Sequence, residues 1–129
     1  PTLVLASASP RRRELLERVG LTLEVLPVNL DESVHPDEKA ADYVRRVARE
    51  KCEAAVARVG AEAVVLAADT TVILDGAVLG KPADETEAAM MLRRLAGRRH
   101  EVTTAYAIRF GTRAVERAVT TLVSFRLLE

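Results

Sequence analysis

The sequence predicts one α/β domain built on a mixed, twisted β-sheet with flanking helices. Short apolar runs typical of buried strands alternate with segments of helical periodicity, in the order β-α-β-α-β followed by a hairpin, a helix and a second hairpin. The 129 residues fit a single domain over 1–129. Hydrophobic residues make up 49% of the chain and charged residues 29%, which excludes a disordered protein.

Capping residues, glycines and apolar periodicity define the predicted helices. Ser9 as N-cap with Pro10 at the first helical position begins the first helix, which ends before Gly20. Asp84 and Glu87 form a capping box that begins the third helix. The long second helix, from 37 or 39 to 59, is predicted from apolar residues at three-four spacing, namely Val44, Val47, Ala48, Cys52, Ala55, Val56 and Val59.

Apolar runs separated by turn residues define the predicted strands. The dipeptide Asp75-Gly76 between two apolar runs is typical of a β-hairpin, and Gly111 marks a second turn between two alternating segments. Since nothing is predicted after the last strand to cover the sheet, we expect a further C-terminal part beyond Glu129. Strands are expected at 3–6, 21–28, 63–68, 70–74, 77–79, 102–108 and 114–128.

Charge and composition exclude several classes of function. Lys and Arg total 19 and so do Asp and Glu, so no basic field steers the protein onto nucleic acid or an anionic membrane. Aromatic residues are 3% of the chain, which argues against a platform that stacks bases. No apolar run approaches the roughly 20 residues of a membrane span. A single cysteine fits a reducing compartment, so we expect a cytoplasmic protein.

Three consecutive arginines, Arg11, Arg12 and Arg13, follow a strand end and open the first helix. A helix N-terminus binds anions through its free N–H groups. Three guanidinium groups are unfavourable there unless an anion neutralises them. The pattern favours a phosphate site, and a solvated basic turn offset by nearby glutamates is the alternative.

Two lysines and an aspartate are further candidates for the site. Lys51 falls inside the apolar stripe of the long helix, so it either points into a polar pocket or snorkels to the rim. Lys81 follows the hairpin, where it either reaches a phosphate or is an ordinary exposed turn lysine. Asp69 follows six apolar residues, at the strand end where ligands gather in α/β sheets, which favours a metal ligand or base over a turn cap. Asp31 and Glu32, in a polar loop, are a weaker signal.

Five motifs in order, spanning nearly the whole chain, resemble the Maf family of nucleoside triphosphate pyrophosphatases, also called septum-formation inhibitors. The resemblance implies an ITPase-like (Maf/HAM1-like) fold with a central cleft, in a protein that is often a homodimer. It also implies hydrolysis of a nucleoside triphosphate to the monophosphate and pyrophosphate with a divalent metal. The motifs are Ser7-Ala8-Ser9-Pro10-Arg11-Arg12, Arg49-Glu50-Lys51, Ala68-Asp69-Thr70-Thr71-Val72, Gly80-Lys81-Pro82, and 95–97 with 100–103.

Two positions within those motifs resemble one branch of the family. Arg11 directly after Ser-Pro and Thr70 directly after the aspartate are similar to the branch that acts on dTTP and UTP. The branch that acts on 7-methyl-GTP carries tryptophan and glutamine there. Family members also carry a later glycine-rich segment whose glutamine helps select the base, and this chain contains no glutamine.

The resemblance and the residue chemistry together assign the site. Glu32 and Asp69 would hold a Mg²⁺ or Mn²⁺ ion, because such ions prefer oxygen ligands, and Asp69 would also take a proton from the attacking water. A pyrophosphatase for 7-methyl-GTP or another modified nucleotide, and a non-catalytic nucleotide-binding regulator of septum formation, are the alternatives. Phosphate binding is assigned to Ser7, Arg11, Arg12, Arg13, Lys51, Thr70 and Lys81.

Overall fold

Six strands and three helices form the part of the chain that the computed structural model describes, residues 3–6, 10–18, 20, 23–60, 62–80 and 84–124. The side chains of Pro10 and Arg11 lie outside that description. The elements are β1 (Leu3–Leu5), α1 (Pro10–Arg18), β2 (Leu23–Val25), α2 (Ala40–Val59), β3 (Val64–Leu74), β4 (Ala77–Leu79), α3 (Glu85–Leu95), β5 (Arg99–Phe110) and β6 (Arg113–Ser124).

The strands form one mixed sheet, which confirms the predicted fold class. Their order is β2-β1-β3-β5-β6, with β4 paired to β3. Strand β1 is parallel to both β2 and β3, whereas β3, β5 and β6 form an antiparallel series. The predicted hairpin is present as the antiparallel pair of β3 and β4 around Asp75-Gly76, where both residues have positive φ.

Helix α2 packs against β3 and β5 through the predicted apolar stripe. Val56 is only half-buried and Val59 is exposed, so the buried stripe ends one turn before the helix does. Complete burial of a valine contributes roughly 1.5–3 kcal/mol, so this face accounts for much of the stability of the layer. Burial also raises the pKa of the Cys52 thiol to about 11. The buried residues of α2 are Ala40, Tyr43, Val44, Val47, Ala48, Cys52 and Ala55.

Strand β3 is continuous from Val64 to Leu74, so the predicted strand end at Asp69 is wrong. Asp69 pairs with Ala105 in an antiparallel ladder with β5, and the β-branched residues that follow it favour continuation of the strand. On the opposite edge, β1 pairs with β3 up to Leu66 and β4 pairs from Val72 onward. Within the described ranges that edge has no strand partner between these points, and Asp69 lies in this gap.

Other boundaries differ from the predictions in smaller ways. Strand β2 is shorter than predicted, because its register with β1 ends at Val25, although the Leu26 N–H still donates to the Leu5 carbonyl, and because 21–22 lie outside the described residues. Helix α2 begins at Ala40 rather than at 37. Strand β6 is described to Ser124, and almost all of it is exposed. No helix among the described ranges is long and apolar enough to cross a membrane.

Candidate active site

Lys51 lies between two carboxylates contributed by different parts of the chain. Its Nζ is 3.3 Å from Oε1 of Glu32 and 3.5 Å from Oδ1 of Asp69. Helix α2 supplies the lysine, β3 supplies the aspartate and the loop after β2 supplies the glutamate. The lysine side chain is only 16% exposed, so it points into a polar cluster and does not snorkel to the rim.

Asp69 is the more enclosed of the two carboxylates. Its side chain is 12% exposed, against 45% for Glu32. Thr71 donates a hydrogen bond from Oγ1 to Oδ2 of Asp69 at 2.9 Å, while Oδ1 faces Lys51. Because Asp69 and Thr71 are two residues apart in a strand, both side chains project from the same face of the sheet. The hydroxyl and the ammonium together fix the orientation of the carboxylate.

A cleft of about 260 Å³ opens over this cluster. Tyr43 forms part of its wall, and the pKa of the phenol is raised by burial and then by the charges of Asp69 and Glu32. The lining residues are Glu32, Tyr43, Asp69, Thr70, Thr71, Val78, Leu79 and Gly80.

The arginine-rich helix start contacts β3 through Arg12, at the residue next to Asp69. Its Nη2 donates to Oγ1 of Thr70 at 2.7 Å, although the two residues are 58 positions apart. Thr70 in turn is 3.0 Å from the hydroxyl of Thr104, its register partner on β5. The guanidinium group is thus placed next to the residue that follows Asp69, although the side chains of Asp69 and Thr70 project from opposite faces of β3.

The remaining predicted site residues are placed differently or lie outside the description. Arg13 is exposed and pairs with Glu17 along α1 at 3.4 Å, so its role as a phosphate ligand stays a prediction. Arg11 belongs to α1, but its side chain is outside the described part. Ser7 and Lys81 also lie outside the described residues.

Sequence reasoning missed several residues that shape the site. Thr71 stood in a quoted motif but was given no role in the site. A strand predicted through Asp69 would have given it one, since a period of two places the two side chains together. Thr104 carries no local signal, because only the β3–β5 register brings it beside Thr70. Tyr43 was part of no predicted motif, yet its hydroxyl donates to the carbonyl oxygen of Glu32 at 2.6 Å.

Two carboxylates of the site have the chemistry to share a divalent cation. No group of three or more His, Cys, Asp or Glu residues placed to hold a metal occurs in the described ranges. Glu32 and Asp69 both face the Lys51 ammonium group, and the Glu32 side chain is half exposed. Such a pair would suit Mg²⁺ or Mn²⁺, because these ions often bind through one or two carboxylates plus phosphate and water oxygens. Glu32 and Asp69 are therefore the described residues that would hold such an ion.

Three curated relatives share one description. A dTTP/UTP pyrophosphatase of Bordetella pertussis is 53% identical over 137 residues, covering 100% of this chain and 66% of that protein. Proteins of the same description from Anaeromyxobacter dehalogenans and Escherichia coli are 52% and 47% identical, covering 99% and 98% of this chain and 66% and 64% of theirs. The chain thus spans slightly less than two thirds of the length of these relatives.

Solved structures show the same fold. A nucleoside-triphosphatase, dITP/XTP pyrophosphatase, from Mycobacterium abscessus superposes with a TM-score of 0.64 at 20% identity, covering 96% of this chain and 74% of that one. The Ham1 protein of Staphylococcus aureus gives 0.67 at 15% identity, with 96% and 71% covered. These likenesses confirm the expected ITPase-like fold. Residues 2–129 match the family described as Maf-like protein, and the chain belongs to the Maf family.

Proposed function

We propose that the protein hydrolyses a nucleoside triphosphate, with dTTP and UTP as preferred substrates, to the monophosphate and pyrophosphate. The observation that carries this proposal is Lys51 held between Glu32 and Asp69, beside the Arg12–Thr70 contact. The Glu32 and Asp69 carboxylates, suited to a cation and a proton, line the cleft. Lys51 lies between them, and Arg12 contacts Thr70 of the same lining. The description dTTP/UTP pyrophosphatase of relatives about half identical to this chain supports the same chemistry.

Binding of the triphosphate depends on neutralising its charge of about four. Arg12 would contact phosphate oxygens through its planar guanidinium group, and Lys51 would contribute a compact ammonium group. We assign further phosphate contacts to Ser7, Arg11 and Lys81, as the family resemblance implies. A divalent cation held by Glu32 and Asp69 would supply further positive charge to the phosphate oxygens.

Water attacks the α-phosphorus in the proposed reaction. The bond between water oxygen and the α-phosphorus forms, and the bond from that phosphorus to the oxygen bridging to the β-phosphorus breaks. A carboxylate oxygen of Asp69 takes the proton lost by the water, and pyrophosphate leaves with the electrons of the broken bond. The hydroxyl of Thr71 donates a hydrogen bond to the other carboxylate oxygen, so the oxygen that accepts the proton has a fixed orientation.

The proposal also covers the localisation, oligomeric state and partners of the protein. Action on free nucleotides in the cytoplasm, without nucleic acid or membrane as partner, agrees with the balanced charge of the chain, and the family resemblance implies a homodimer. Its single cysteine is buried, as expected for a protein that does not depend on disulfides.

Product analysis tests the proposal. The natural full-length protein is incubated with dTTP, UTP, GTP and 7-methyl-GTP in the presence of Mg²⁺ or Mn²⁺, and pyrophosphate is scored against orthophosphate. We expect equal amounts of pyrophosphate and monophosphate, with the highest kcat/KM for dTTP and UTP. A purine nucleotide ranked first would refute the substrate preference, and nucleotide binding without any turnover would favour the non-catalytic regulator.

A further inference from the structure

The loop that carries Glu32 has no regular structure of its own. Residues 31–38, all of them described, form no helix or strand, and most are exposed. Asp31 organises the start of this 31–38 loop, since its Oδ1 accepts hydrogen bonds from the backbone N–H and the hydroxyl of Ser33. These contacts are local, so they do not fix the loop relative to Lys51 and Asp69.

Arg46 of α2 joins the 31–38 loop to the helix. Its Nε lies 2.6 Å from Oε2 of Glu38, its Nη2 donates to Oε1 of Glu38 at 3.0 Å, and Nη2 also donates to the carbonyl oxygen of Ser33 at 2.8 Å. Its Nη1 binds Glu50, one turn along the helix, at 2.6 Å. The Arg46 and Glu38 side chains are only 14% and 11% exposed. A planar guanidinium fork is the group best suited to this simultaneous contact.

Tyr43 adds a further attachment close to the acidic residue itself. Its hydroxyl donates to the carbonyl oxygen of Glu32 at 2.6 Å, and the guanidinium of Arg46 lies 5.5 Å from the centre of its ring. The loop is therefore attached to α2 at Glu32, Ser33 and Glu38. The Arg46 hydrogen bond holds the pKa of Glu38 at about 2, so this ion pair persists throughout the neutral range.

We propose that Arg46 is a positioning residue for the site, holding the 31–38 loop on α2 so that Glu32 stays opposite Asp69 across Lys51. Helix α2 carries both Arg46 and Lys51, so attachment of the loop to Arg46 also fixes its position relative to the Lys51 ammonium group. The inference rests on the proposed function for its catalytic consequence. Its structural part, the attachment of the loop by Arg46, stands apart from that function.

Kinetics of matched variants in the natural full-length protein test the catalytic consequence. Arg46→Met removes the fork, Arg46→Lys keeps the charge, and Arg49→Met removes another ion pair of α2, to Glu116 at 3.2 Å, that does not involve the loop. We expect Arg46→Met to lower kcat on the order of 10²-fold, as for misplacement of a reactive group, with a smaller change in KM for the nucleotide. Arg46→Lys should be intermediate and Arg49→Met close to the unmodified protein.

A double-mutant cycle shows whether Arg46 acts through Glu32. Glu32→Gln is made in the unmodified protein and in the Arg46→Met background. If the loop positions Glu32, the second change costs much less kcat in the Arg46→Met background than alone. Fully additive losses, or a kcat for Arg46→Met equal to that of Arg49→Met, would overturn the proposal. If Arg46→Met does not fold, Glu38→Gln takes its place and should give the same coupling.

Amide hydrogen exchange without nucleotide or metal tests the attachment independently of activity. We expect faster exchange confined to residues 31–38 in Arg46→Met, partial recovery in Arg46→Lys, and no change there in Arg49→Met. Unchanged exchange in the loop would overturn the inference even if the enzyme is active. An unmodified protein that hydrolyses no nucleotide would instead overturn the proposed function, and with it only the catalytic part of the inference.

Discussion

Replacing Lys51 by methionine leaves two carboxylates facing each other without their shared cation. The gross attraction of the ammonium for Glu32 at 3.3 Å and for Asp69 at 3.5 Å is about 5 kcal/mol each at an effective dielectric constant of about 20. Desolvation of the lysine and solvent around Glu32 offset most of that attraction. We therefore expect the free energy of unfolding to fall by about 1–3 kcal/mol, between the values for exposed and buried pairs.

The same variant should bind a divalent cation more tightly when no nucleotide is present. The cluster changes from a formal charge of −1 to −2, because one ammonium and two carboxylates become two carboxylates alone. We expect Mn²⁺ to bind on the order of tenfold more tightly, which corresponds to about 1.4 kcal/mol. Added Mn²⁺ should then restore a larger part of the stability in the variant than in the unmodified protein.

Urea unfolding with a chelator, unfolding with Mn²⁺, and calorimetric titration of Mn²⁺ measure these effects. Lys39→Met is the matched control, since Lys39 is an exposed lysine at the N-cap of the same helix. We expect the control to change neither quantity by more than a few tenths of a kcal/mol. Unchanged or weaker Mn²⁺ binding in Lys51→Met would refute the argument that the ammonium and the metal share these carboxylates.

Three further predictions concern neighbouring residues. Asp69→Asn should lower kcat by roughly 10²–10⁴-fold while nucleotide binding, measured by calorimetry, is largely kept; near-normal kcat would exclude its role as base. Thr71→Val should lower kcat about tenfold through loss of one hydrogen bond, whereas Thr71→Ser should retain activity. The same kcat in the two variants would show that the hydroxyl is dispensable. The pKa of Glu38 falls from 4.5 to about 2 on folding, so its stabilising contribution is present above pH 4.5 and is lost as the pH falls toward 2. Unfolding free energies of Glu38→Gln between these pH values should therefore fall less steeply than those of the unmodified protein, and parallel curves would contradict this linkage.

Local signals predicted most of the fold. The apolar stripe of α2, the Asp84 cap of α3 and the Asp75-Gly76 hairpin each depend on residues close together in sequence, and the structure confirms all three. The strand end placed at Asp69 was wrong. A polar residue within a strand resembles a strand end unless the pairing with β5 is known.

The site was harder to predict because its contacts join distant segments. The composition of the first helix turn indicated an anion site, but contact between Arg12 and Thr70 depends on how α1 meets the sheet. Glu32 was a weak candidate in a polar loop until the structure placed it beside Lys51. Arg46 gave no signal, because an arginine on a partly polar helix is most often solvated.

Hydrolysis of dTTP in ¹⁸O-labelled water by the natural full-length protein tests the central claim most directly, since the isotope shows which phosphorus is attacked. We predict equal amounts of dTMP and pyrophosphate, with the label in dTMP, and loss of both products in Asp69→Asn. Label in the pyrophosphate, or release of orthophosphate with dTDP, would contradict attack of water on the α-phosphorus at this site.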